Sequence, residues 1–301
     1  MKPETPKNIH IVTIHWGDSR WVDIQLSQLR KNISIQSKIY CGAKDLSERD
    51  KSKFDLCIDV SEAHGINLNL IASRIIDTCD PSDLLIFIDG DAFPIKPCLD
   101  IIIDSLERFP LIAVRRDECL GDLQPHPCFC ATTIGFWKSI DGDWRAGKEG
   151  WINNRGDKVS DVGGVLLNFF EEKEVGWLPL LRSNSHSAHE MYFGIYHGFL
   201  YHHGAGFRNI WSRLDASKFF WFKSKIFRWA LTPSGYKGDL VSKLADKVKA
   251  EVRELFLLKD VCSYQKKLTL LSKNIHTLIS EGAMSWDDFD EVVNAEFAKL
   301  L

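Results

Sequence analysis

No stretch of the sequence approaches the run of about 18 uncharged apolar residues that marks a membrane-spanning helix. Residues 1–8 are polar, hold Pro3 and Pro6 and lack an apolar h-region, which predicts no signal peptide. Basic charge is not in excess. The 38 Lys and Arg stand against 41 Asp and Glu, for a formal charge of −3. Such a chain is a poor general binder of nucleic acid, and any attraction to anions has to come from a local patch. Internal repeats and low-complexity segments are lacking. Cys128-x-Cys130 is the one close cysteine pair, and no second pair stands at zinc-finger spacing. The eight cysteines, Cys41, Cys57, Cys79, Cys98, Cys119, Cys128, Cys130 and Cys262, mostly sit beside apolar neighbours. That scatter suits reduced, buried thiols in a cytosolic protein.

What remains is ordinary globular material. The 301 residues are 45% hydrophobic and 26% charged, enough for one large domain or a domain with an appendage. Ten Trp and eighteen Phe can fill a core, stack on sugars or sit at a membrane interface. Up to about residue 114, strand-like and helix-like segments alternate. Residues 9–14, 37–41, 54–60, 84–88 and 111–114 read as strands; 21–30, 66–79 and 97–109 read as helices. That order predicts an α/β sheet sandwiched by helices. Residues 115–210 are less regular and rich in Gly, His and Trp. From 212 on, segments 240–258 and 264–279 have helical periodicity, and Ser285-Trp286-Asp287-Asp288 resembles a helix start. The expected domains are therefore 1–211, carrying the chemistry, and 212–301, a helical appendage.

The sharpest feature is Leu84-Leu85-Ile86-Phe87-Ile88-Asp89-Gly90-Asp91, an apolar strand ending in two carboxylates around one glycine. In open α/β sheets, ligands bind beyond the carboxyl ends of the strands. Gly90 lets the chain turn there without a side chain. Two close carboxylates repel unless a cation neutralises them, and Mg²⁺ or Mn²⁺ is the natural partner of such oxygens. Tyr201-His202-His203-Gly204-Ala205-Gly206-Phe207-Arg208 adds candidates. His203, with His202 as the fallback, could complete the metal's ligands. Gly204 and Gly206 would let backbone N–H groups approach a diphosphate, and Arg208 could neutralise its charge.

The order strand–Asp89-Gly90-Asp91, then Asp161-Val162-Gly163-Gly164-Val165-Leu166-Leu167-Asn168, then His203-Gly204-Ala205-Gly206 resembles the GT-A glycosyltransferases. It is most similar to the retaining family 8 enzymes and their relatives. Ser73-Arg74-Ile75-Ile76 resembles the Arg-bearing helix that precedes the Asp-x-Asp strand in that family. The likeness covers about residues 8–210. It implies a GT-A fold and a nucleotide-sugar donor, most readily a UDP-sugar, with the dication bridging Asp89, Asp91 and the diphosphate. It further implies Arg74 near the donor phosphate or sugar, and Thr13, His15 and Trp16 bordering the nucleoside. The family's Asp-Gln pair is absent, and His189-Glu190 occupies that place. Asp161 and Glu190 are the candidate catalytic carboxylates. Either could act as base toward the acceptor hydroxyl in an inverting enzyme, or stabilise an oxocarbenium-like transition state in a retaining one.

Softer candidates remain. His64, Asn67 and Asn69 lie where a donor-facing helix could begin, though His64 reads equally as a turn residue. Arg115 and Arg116 could meet phosphate or pair with Asp117 and Glu118. Residues 126–133 could border the acceptor. Residues 207–229 hold eight Phe or Trp, with Arg208, Arg213, Lys218, Lys223, Lys225 and Arg228 against one acid, Asp215. This fits either an interfacial helix on anionic lipid or a helix packed on the catalytic domain. The expectation is a metal-dependent glycosyltransferase acting on a glycan or lipid-linked acceptor in surface polysaccharide assembly. Its place would be the cytoplasm or the cytoplasmic face of a membrane. The rivals are a sugar-phosphate nucleotidyltransferase and a non-catalytic binding module.

Overall fold

The computed structural model describes residue 6 and residues 8–119, 121–154, 156–185, 189–204, 248–249 and 259–300. The chain divides into two compact units, residues 1–186 with 191–204, and residues 187–190 with 205–301. The expected domain boundary at 211/212 and the aromatic, basic segment 207–229 lie outside the described residues. No helix among the described residues is long and apolar enough to cross a membrane.

The first unit opens with β1 (Ile9–Trp16), α1 (Val22–Asn32), β2 (Lys38–Lys44), α2 (Glu48–Lys51), β3 (Leu56–Asp59), α3 (His64–Ser73) and β4 (Leu84–Asp89). It continues with β5 (Ala92–Pro94), α4 (Leu99–Leu106), β6 (Leu111–Val114), β7 (His126–Thr133), α5 (Ile134–Ser139), β8 (Trp151–Ile152) and β9 (Lys158–Val159). It closes with α6 (Gly164–Lys173), β10 (Leu178–Leu180), β11 (Gly194–Tyr196) and β12 (Leu200–His202). Seven strands form one sheet in the order β10-β6-β7-β4-β1-β2-β3. β4, β1, β2 and β3 run parallel, and β7 is antiparallel to both of its neighbours. Continuous burial of β1 and β4 on both faces explains their unbroken apolar sequence. At the far end from the site, Asp83 ties the two together, accepting the Asn8 backbone N–H at 3.0 Å and facing His10 Nε2 at 3.2 Å.

The chain steps outward from β1 to β2 and β3, then returns to lay β4 on the opposite side of β1. The winding direction reverses there, and the carboxyl ends of β1 and β4 lie at the kind of reversal point where α/β sheets bind ligands. Asp89 is the last residue of β4 and pairs with Ile14 of β1.

Two departures from the expected elements have physical causes. β7, at the heart of the sheet, was not expected as a strand, because His126-Pro127-Cys128 carries a proline that cannot donate to a ladder. The register shifts between Ala113 and Val114 of β6, opposite this segment, and that irregularity accommodates it. α3 ends at Ser73, not Cys79, and tighter turns follow it, with Arg74 N–H donating to Ile71 O and Ile75 N–H to Ala72 O.

In the second unit, α7 (Lys259–Ser280) buries Leu268, Leu271, Ile275 and Ile279 at helical spacing. α8 (Phe289–Ala298) lies against it, with Tyr264 and Phe297 rings 6.3 Å apart and Asn274 Nδ2 donating to Glu296 at 3.0 Å.

Candidate active site

Past Asp89 the chain turns through Gly90 and Asp91 and at once enters β5. A Cβ on Gly90 would stand 2.5 Å from the Ile14 carbonyl oxygen and 2.9 Å from His15 Nδ1. The glycine is thus demanded by the close approach of β1 behind the turn, more than by a need to clear the crevice. The turn is also held from α1. Gln25, fully buried in the apolar stripe of that helix, donates through Nε2 to the carbonyls of Asp89 at 2.6 Å and Ala92 at 2.9 Å. Its Oε1 accepts from Thr13 Oγ1 at 3.2 Å and faces His15 Nε2 at 2.9 Å. Because both amide hydrogens are spent on carbonyls, Oε1 must accept, so the proton of His15 sits on Nε2. Burial lowers the pKa of His15 and keeps it neutral, as this arrangement needs.

β5 is the central device of the site. It pairs antiparallel with β12, which sets His202 opposite Ala92, and His203 N–H donates to Asp91 O at 3.0 Å. His202 Nε2 therefore faces Asp91 Oδ1 at 3.4 Å and Asp89 Oδ2 at 3.7 Å. One donor atom from each of Asp89, Asp91 and His202 lies within 4.8 Å of the others. On the other side of Asp89, His64 in the first turn of α3 brings Nε2 to 2.9 Å from Oδ1. Burial pushes the Asp89 carboxyl up, but His64 and His202 together outweigh it and hold the pKa below the usual carboxylate range. Burial opposes a charge on His202, yet Cys128 and Asp91 beside it raise its pKa well above that of a free imidazole.

The donor set fits a dication. Two carboxylates and an imidazole are ligands suited to Mn²⁺, with the carboxylates equally suited to Mg²⁺. Asp89 Oδ1 is shut from solvent and has no hydrogen-bond partner among the described residues.

The other expected residues are placed as follows. His202, not His203, is the imidazole that faces the carboxylates. Neighbouring residues of an extended segment face opposite ways, so His202 takes the site and His203 the core. There its Nδ1 meets Tyr201 Oη at 2.7 Å and its ring lies 4.6 Å from that of Trp21. Thr13 and His15 are buried supports of the turn, while Trp16 is 41% exposed at the end of β1 with Lys44 Nζ 4.5 Å above its ring. Arg74 is exposed at the C-terminal end of α3. The helix presents its N-terminus to Asp89, so ten residues of rise, about 15 Å, separate Arg74 from that end. Gly204 has φ +69° and its missing Cβ would collide with the Met191 carbonyl, so the fold itself requires glycine there. Asp161 is half-exposed, 3.5 Å from Arg116, and its Oδ1 accepts the Val162 N–H. Glu190 belongs to the second unit, and Arg208 lies outside the described residues.

Arg115 pairs with Asp117 at 2.7 Å, and Arg116 pairs with Asp122 at 3.1 Å. Gln25 was not expected at the site, and the signal was available: an amide on the otherwise apolar face of α1. His126 and Cys128 of β7 also lie beside His202, the His126 ring 6.3 Å from it.

No family model and no curated protein matches this chain. Solved structures do. The apo-form glycosyltransferase GlyE of Streptococcus pneumoniae TIGR4 is 13% identical over 57% of this chain, with a TM-score of 0.37. The match spans 45% of that protein's own length. A protein described as a nucleotide-diphospho-sugar transferase from Desulfovibrio desulfuricans G20 is 11% identical over 57% of this chain and 79% of that one, with a TM-score of 0.38. The mannosyltransferase PcManGT of Pyrobaculum calidifontis, solved with GDP-Man and Mn²⁺, is 8% identical over 99% of this chain and 88% of that one, with a TM-score of 0.41. The fold class expected from the sequence, an α/β domain followed by a helical C-terminal region, is the one observed.

Proposed function

We propose that this chain is a metal-dependent glycosyltransferase that takes its sugar from a nucleotide-diphosphate donor. The observation that supports this most is the convergence of Asp89, Asp91 and His202 at the reversal point of the sheet. Asp89, Asp91 and His202 would hold the dication, Mn²⁺ or Mg²⁺. When bound, it supplies Lewis-acid stabilisation of the leaving nucleoside diphosphate. Gln25 fixes the carbonyls on either side of the turn, so the two carboxylates are preorganised before donor arrives. Trp16, exposed at the end of β1, offers a ring to the base or ribose.

A UDP-sugar donor, a glycan or lipid-linked acceptor, a role in surface polysaccharide assembly, contact of 207–229 with a membrane and a retaining outcome belong to this same proposal. They rest on the sequence resemblance and on the charge pattern of that segment. Asp161 and Glu190 remain its catalytic carboxylates, with Asp161 placed beside Arg116.

The test is hydrolysis of a panel of nucleotide sugars with and without Mn²⁺. The proposal expects metal-dependent release of a nucleoside diphosphate, lost in Asp89→Asn and Asp91→Asn variants that keep the wild-type fold. Release of pyrophosphate from a nucleoside triphosphate and a sugar phosphate would instead favour a nucleotidyltransferase. No nucleotide binding with or without Mn²⁺ would leave a binding module.

A further inference from the structure

The start of β7 lies at the same edge of the sheet as the end of β4, because the two strands are antiparallel and Ile88 pairs with Phe129. Residues 126–128 therefore run past Asp89. His126 pairs with Val114 across the register shift, and Pro127 after it has no N–H to give. The next N–H, of Cys128, is met by the side chain two residues back: it donates to His126 Nδ1 at 3.1 Å. A backbone N–H can only donate, so Nδ1 carries no proton and the ring's one hydrogen sits on Nε2. Burial, with Arg116, His202 and His64 nearby, lowers the pKa of His126 well below that of a free imidazole and keeps the ring neutral, as this bond requires.

His126 thus holds one fixed donor. Its Nε2–H has no hydrogen-bond partner among the described residues. Nor is it shut from solvent, as both amide atoms of Gln124 are. Polar atoms of a residue this buried are ordinarily paired, and here only Nδ1 is. The ring lies 6.3 Å from that of His202, the imidazole of the proposed metal site. Arg116, whose charge bears on His126, reaches Asp161 at 3.5 Å. His126 therefore neighbours both the metal's ligands and a candidate catalytic carboxylate.

A nucleotide sugar is a chain of three groups, and β1, β4 and β7 are three successive strands of the sheet. With the base or ribose on Trp16 at the end of β1 and the diphosphate at the end of β4, the sugar falls beyond the start of β7. We propose that His126 reads the donor sugar, its Nε2–H donating to a hydroxyl oxygen of the sugar being transferred. The inference rests on the function proposed above and adds to it a specificity-determining residue. A group that can only donate favours sugars with an acceptor oxygen at that position over those without one.

The experiment uses the full chain. Calorimetry in Mn²⁺ compares UDP-glucose, UDP-N-acetylglucosamine and GDP-mannose with UDP and GDP. The variant is His126→Asn, whose side-chain oxygen can still accept the N–H two residues on but whose amide is too short to replace Nε2. It should weaken the tightest-bound nucleotide sugar about three- to tenfold and leave the matching nucleoside diphosphate within twofold. A purely structural role would weaken both alike. Nitrogen-15 histidine spectra of the wild type in Mg²⁺ decide the matter even if the variant does not fold. They should show a neutral ring, protonated on Nε2, whose signals shift with that nucleotide sugar and not with its diphosphate. Equal losses for both ligands in the folded variant, no loss for either, or no such ring would overturn the inference. So would a wild type that binds the diphosphates and none of the three nucleotide sugars, with the metal site left standing. A wild type that binds no nucleotide at all would overturn the proposed function, and this inference with it.

Discussion

Replacing Gln25 by leucine tests the support beneath the site. The change keeps side-chain bulk and removes an amide whose every hydrogen-bonding position is used. It strands four groups in a fully buried place: the carbonyls of Asp89 and Ala92, the hydroxyl of Thr13 and Nε2–H of His15. A buried polar group left without a partner costs about 1–3 kcal/mol. Taking the lower end for all four gives about 4–6 kcal/mol, and the apolar leucine returns about 1–2 kcal/mol. The expected loss is about 2–5 kcal/mol, a large part of the roughly 5–15 kcal/mol that holds a typical domain together. Urea unfolding followed by tryptophan fluorescence measures it. Because two of the stranded groups flank the Asp89–Asp91 turn, Mn²⁺ affinity should fall too, read by calorimetry in urea-free buffer where the variant is still folded. A loss under about 1 kcal/mol with unchanged Mn²⁺ affinity would refute the claim that this amide positions the turn.

His202→Ala should abolish Mn²⁺ binding, whereas His203→Phe should keep the affinity within about threefold. The second variant should instead melt earlier by several degrees, since the buried hydrogen bond between Tyr201 Oη and His203 Nδ1 is lost. Gly90→Ala should fold but bind Mn²⁺ at least tenfold more weakly, because a Cβ 2.5 Å from the Ile14 carbonyl pushes the turn off β1, at a cost of about 1–3 kcal/mol. Asp122 gives a pH signature. Burial pushes its pKa up to about 6, from 3.8, despite the neighbouring Arg116. The folded state therefore holds this proton longer than the unfolded state does. That contribution is full below pH 4 and is lost as pH rises through 6. Wild-type stability relative to Asp122→Asn should accordingly fall by about 2–3 kcal/mol between pH 4 and pH 7, and denaturant titrations across that range check it. A flat difference would contradict it.

The parallel half of the sheet was readable because its strands are buried on both faces and spell continuous apolar runs, as at Leu84–Ile88. Asp89 and Asp91 were readable for the same reason: charge placed directly after such a run has to lie at the sheet's edge. β7 was hidden because Pro127 and the small residues around it carry no strand signature, and only its neighbours on both sides make it a strand. The choice between His202 and His203 was hidden because one residue of register decides which ring faces the carboxylates, and that register is fixed by pairing with β5, far away in sequence. The expectation for Arg74 rests on the order of elements along the chain. The sequence puts an arginine on the helix before β4, but the direction of α3 carries it away from the crevice. Gln25 and His64 act through contacts across 64 and 25 residues of sequence respectively, and no local pattern announces either pairing.

The central claim is that the carboxyl end of β4 grips a dication. Anomalous diffraction from crystals grown with Mn²⁺ and a nucleoside diphosphate tests it directly. The account predicts a manganese peak within bonding distance of Asp89, Asp91 and His202, with diphosphate oxygens on its open side. A nucleotide bound elsewhere, or bound at this edge with no manganese among those three side chains, would contradict it.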